Sequence, residues 1–115
     1  MYFIVLLLYR EDALEDFLSI FVEAGINDAI VVTGTSFANS LVSEVPIFAG
    51  LRKALEQNRS YSHIIFGYAK DEYSVREVVA IAKDEGMDLD KPGVGMLMAV
   101  PIAMKFGVEQ ELTGE

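Results

Sequence analysis

Tyr2-Phe3-Ile4-Val5-Leu6-Leu7-Leu8-Tyr9 is a short apolar run rich in β-branched and aromatic residues, which predicts a strand. Three later runs read alike: Ala29-Ile30-Val31-Val32-Thr33, Ile64-Ile65-Phe66-Gly67-Tyr68 and Met96-Leu97-Met98-Ala99-Val100. A sheet with one face in water alternates apolar with polar side chains. None of these four runs alternates, so each strand is apolar on both sides. Two helices cover one face of a sheet at most, and something else must cover the other.

Helical periodicity fills two of the gaps. Leu14, Phe17, Leu18, Phe21 and Val22 recur as one stripe, behind an acidic start of Glu11, Asp12, Glu15 and Asp16 that suits a helix dipole. Gly25 stands where a left-handed cap belongs. In the second gap Ser74 and Glu77 have capping-box spacing, Val75, Val78, Val79 and Ala82 share a side, and Gly86 is the stop. The order is β-α-β-β-α-β, the split βαβ or ferredoxin-like pattern of an α+β sandwich. An elaborated loop and helix lies between strands 2 and 3. Right-handed crossovers put both helices on one face. Within the long connection, Pro46 to Asn58 reads as a helix with Ile47, Phe48, Leu51 and Leu55 on one side. That helix packs rigidly on the rest or offers an anchor face to a partner.

Composition bounds the rest. The chain has 115 residues, 52% of them hydrophobic, which excludes a disordered protein. The expected division is one domain over residues 1–108 and an acidic tail over 109–115. The formal net charge of −9 argues against nucleic acid as a partner, because such binding needs a basic footprint. There is no Cys, so thiolate zinc sites and cysteine nucleophiles are excluded. His63 is the single histidine and reads as a strand-edge residue rather than a metal ligand. Asp84, Glu85, Asp88 and Asp90 form an acidic stretch read as solvating rather than cation-binding. No Gly-x-Ser-x-Gly elbow occurs, and the expectation is a protein without catalysis or a bound metal. The run at Tyr2 makes a poor signal peptide and Gly93 to Met104 is too short to span a bilayer, so a cytoplasmic location is expected.

Self-association is the economical cover for the second face, and closed rings are its usual form. Insertion of the long connection over the sheet of a monomer is the other solution.

Three local features, taken in order, resemble the PII nitrogen-regulatory proteins and their PII-like relatives. They are Glu23-Ala24-Gly25-Ile26 closing the first helix, the long connection opening with Gly34-Thr35-Ser36-Phe37-Ala38-Asn39-Ser40, and the turn Lys91-Pro92-Gly93-Val94-Gly95-Met96 before the last strand. The resemblance covers roughly residues 2–108. It implies a homotrimer with sheets facing inward, and clefts between subunits that take a small-molecule effector, often an adenine nucleotide such as AMP, ADP or ATP. It implies that the long connection, residues 34–60, docks on a protein partner such as a transporter or an enzyme. The ligand-binding positions it points to are Gly34, Phe37, Asn39, Ser40, Lys91, Gly93, Val94 and Gly95. Gly93 and Gly95 let backbone N–H groups approach a phosphate. The same glycines with Pro92 also make a tight entry to a strand, and Asn39 and Ser40 also suit a turn cap.

The chain departs from that family where charge matters. Met96 stands where relatives carry Lys, and Gly107 and Glu109 where they carry Arg. Lys91, Lys105 and Arg10 are the cations left nearby. A triphosphate needs fixed cations, so a nucleotide with fewer phosphates, or another metabolite, is the easier fit. No Tyr lies between Ser36 and Ser60, so modification of a loop tyrosine is not expected. The runner-up reading is a trimeric CutA-like structural or metal-tolerance protein that binds no nucleotide.

Overall fold

The computed structural model describes residues 1–34 and 63–107. The helix expected over 46–58, the positions Phe37, Asn39 and Ser40, and the tail 109–115 lie outside the described residues.

The elements are β1 (Tyr2–Leu8), a 3-10 turn (Glu11–Ala13), α1 (Leu14–Glu23), β2 (Ala29–Thr33), β3 (His63–Ala69), α2 (Glu72–Asp84) and β4 (Gly95–Pro101). The strands form one sheet in the order β2-β3-β1-β4. Every adjacent pair is antiparallel. Among the described residues, a four-stranded antiparallel sheet with two helices makes an α+β architecture compatible with a ferredoxin-like fold. The backbone ladder runs on past β4, where the Ile102 N–H donates to the Met1 carbonyl at 3.0 Å.

The helices bury one face. Ile4, Leu6 and Leu8 of β1 and Ile65 of β3 are fully buried there, against Phe17, Ile20 and Phe21 of α1 and Val78 and Ala82 of α2. Each large side chain so buried contributes about 1.5–3 kcal/mol. The stripe of α1 differs from the expected one. Ala13, Phe17, Ile20, Phe21 and Ala24 face the core, Leu14 and Leu18 sit at its margin, and Val22 is 61% exposed. The apolar arc of this helix is wide enough to hold two overlapping stripes, and packing against the sheet selects the one centred on Phe17 and Phe21.

The start of α2 also differs. Asp71, not Ser74, is the cap: its Oδ1 accepts the Ser74 N–H at 2.9 Å. Ser74 therefore lies inside the first turn, and a Glu77 capping box has no place. Gly25 and Gly86 take positive φ of 86° and 83° and end their helices as the spacing predicts. Among the described residues no helix is long and apolar enough to cross a membrane.

Candidate functional site: an open apolar face and the turn at its end

Pairing registers sort the side chains of the second face into levels. Val32, Ile64, Leu7 and Met96 lie on one level, and Ile30, Phe66, Val5 and Met98 on the next. Tyr68, Phe3 and Val100 make a third. All are apolar or aromatic, and no described element covers them. Ile30 is 65% and Val100 53% exposed, and Val32, Tyr68, Met96 and Met98 are exposed as well. The aromatics order the centre: the rings of Phe3 and Phe66 stack at 5.8 Å between centroids, and Tyr68 lies tilted 5.8 Å from Phe3. Lys105 places its Nζ 5.4 Å from the Tyr68 ring centre, a cation at the rim of the face. Beyond it Met104 and Phe106 are exposed, Phe106 to 91%.

The apolar side chains of this face run contiguously across all four strands of the sheet. Two-sided apolarity, read from the strands, is thus a property of the folded sheet.

The glycine-rich turn sits at one end of this sheet. Thr33, His63, Leu8 and Gly95 share a level, so Gly34 and the turn 91–95 lie at the same end but on opposite edge strands. Three interstrand spacings separate them, about 14 Å. Within one chain, a single small ligand does not touch both.

The turn itself is well bonded. The Asp90 N–H donates to Asp88 Oδ1 at 2.9 Å and the Lys91 N–H to the Asp88 carbonyl at 3.0 Å. The Lys91 side chain is exposed. Gly93 has φ of 98°, in the region that favours glycine. Val94 is a core residue, and its carbonyl accepts the Tyr9 N–H at 3.1 Å. Gly95 has a steric reason: a Cβ there would stand 2.5 Å from the Leu7 carbonyl oxygen.

A cleft of about 720 Å³ opens between α2 and β4, beside the turn. Val75, Val79, Leu97 and Ala99 line it, with Asp90 and Gly95 at the turn end. Of its cations, Arg76 is tied to Glu72 at 3.2 Å and Lys83 carries the other charge. Arg10, counted from sequence as a spare cation, is engaged: its Nε and a terminal nitrogen donate to the two Asp12 oxygens at 3.1 and 2.9 Å. That bond raises the Arg10 pKa and lowers that of Asp12. Among the described residues no three His, Asp or Glu converge as a metal site would require.

Sequence spacing points to the turn and the two-sided strands. It misses the α2–β4 cleft, the Lys105–Tyr68 contact and the Asp71 cap. Only for the cap is there a local signal, an Asp three residues before Ser74. Comparison with protein-family models and with curated proteins finds no match to this chain.

Proposed function

We propose that the chain is a ferredoxin-like β-α-β-β-α-β protein with an elaborated connection between its second and third strands, and that it is a PII-like cytoplasmic regulator. It assembles as a homotrimer through the open sheet face. It senses a small metabolite or adenine nucleotide in clefts between subunits, without a catalytic step, and residues 34–60 signal the bound state to a protein partner. The observation that carries this reading is the uncharged face of Phe3, Val5, Leu7, Ile30, Phe66, Met98 and their neighbours, which no described element covers. Support for a site at a seam comes from Gly34 and Gly95, which share one end of the sheet yet lie on opposite edges.

Sedimentation and calorimetric titration with AMP, ADP, ATP and cyclic AMP test it. The expected result is a multiple of 12.7 kDa and heat with at least one nucleotide. A single 12.7 kDa particle at high concentration overturns the assembly. An oligomer that gives no heat with any nucleotide, but gains thermal stability with a divalent metal, replaces the sensor with the CutA-like reading.

A further inference from the structure

The cleft between α2 and β4 lies on the helix side of the sheet, away from the open face. Gly95, Leu97 and Ala99 pair with Leu8, Leu6 and Ile4, which are buried under the helices, so all six share that side. On α2, Glu72, Val75, Arg76, Val79 and Lys83 have the spacing of one helical face. Leu97 is only partly buried and Ala99 is exposed, so α2 stops short of β4 and leaves a groove beside it.

The charges along the groove are sorted. Near the start of α2, Arg76 and Glu72 satisfy each other at 3.2 Å. At the other end, beside the turn, Lys83 and Asp90 line the cleft with opposite charges, and among the described residues neither side chain has an ion pair or hydrogen bond. Between the two ends the wall is apolar and short. Val75 and Val79 are one helical turn apart, about 6 Å, and Leu97 and Ala99 lie about 7 Å apart along the strand. That length matches one amino-acid side chain. A fatty acyl chain or an extended peptide would run on over the Glu72–Arg76 pair. The apolar wall, rather than the full 720 Å³, therefore sets the size of the ligand.

We propose that this cleft binds a free α-amino acid with a branched or aromatic apolar side chain. The ligand carboxylate accepts from Lys83 Nζ, its ammonium donates to the Asp90 carboxylate, and its side chain lies on Val75, Val79, Leu97 and Ala99. Two opposite charges at one end of a short apolar wall complement such a zwitterion. A monoanion leaves Asp90 facing no cation, and an amine leaves Lys83 facing no anion. Every residue used belongs to one chain, so the site depends neither on self-association nor on a nucleotide.

Protein-observed NMR with L-leucine and L-phenylalanine tests it, beside two analogues of leucine that each lack one charge, 4-methylpentanoate and 3-methylbutylamine. The expected result is saturable shifts at Val75, Val79, Leu97 and Ala99, with each analogue bound about tenfold more weakly than leucine. Lys83→Gln removes the preference for leucine over the amine, and Asp90→Asn the preference over the carboxylate. Ala99→Leu fills the groove from an exposed position, so it abolishes the shifts and keeps the amide spectrum of the sheet. Either analogue binding as tightly as leucine, or leucine binding that survives Ala99→Leu, overturns the proposal, as does a spectrum that neither amino acid moves. AMP, ADP and ATP are titrated into the same protein. Nucleotide binding without amino-acid binding sinks the cleft and spares the sensor, and amino-acid binding without nucleotide binding does the reverse.

Discussion

At Gly95 the sheet closes on the glycine from outside. The Leu7 carbonyl belongs to a central strand and has no flexible end with which to give way, so a Cβ 2.5 Å from it forces the backbone of β4 to move. Gly95→Ala is expected to cost about 1–3 kcal/mol, the range of overpacked sites. Urea unfolding measures it, and an unchanged midpoint would show that β4 is not held where it stands. Gly93→Ala meets a different obstacle, its φ of 98°, at about 1–2 kcal/mol. The two glycines that sequence groups as one phosphate-type motif thus separate in the fold. Gly95 is required by a neighbouring strand, and Gly93 by the turn. If the turn binds a ligand, Gly93→Ala lowers the affinity of protein that remains folded.

At the scale of the element, α2 depends on its first turn. The Ser74 N–H on the Asp71 carboxylate, more than any other influence, holds that carboxyl below its ordinary pKa. A depressed carboxylate pKa means that the charged form stabilises the fold. That contribution is complete above the ordinary value, about pH 4, and is lost as pH falls through and below it. Asn caps about as well as Asp but does not titrate. Asp71→Asn protein should therefore melt close to wild type at pH 7 and lose less melting temperature between pH 5 and pH 2. Thermal melts across that range check the sign, and a steeper acid loss in the variant would refute it. The cap was legible as an Asp before an apolar stripe. Ser74 and Glu77 also have cap spacing, and local spacing cannot rank two candidate starts one turn apart.

For the whole molecule, the decisive surface is the face that the helices leave open. A carboxylate placed on it is harmless in a monomer and costly once the face is buried. Taking a charge out of water without a partner costs about 3–5 kcal/mol, roughly two to four powers of ten in association. Met98→Glu should therefore shift the sedimenting species toward 12.7 kDa with its circular dichroism unchanged. An oligomer of undiminished stability would mean that the face is not what joins the copies.

Four β-rich runs, two amphipathic stripes and their glycine stops are local patterns, and from them alone follow the strands, the helices and the excess of apolar side chains on both sides of the sheet. Period and composition are carried by neighbours in the chain. Packing decided the rest: which arc of α1 meets the core, that Val94 is buried while Lys91 faces water, and that Gly34 and Gly95 share an end but not an edge. Those facts depend on strand order and register, which join residues from 30 to 99 positions apart in the chain, and no local pattern encodes a distance across a sheet.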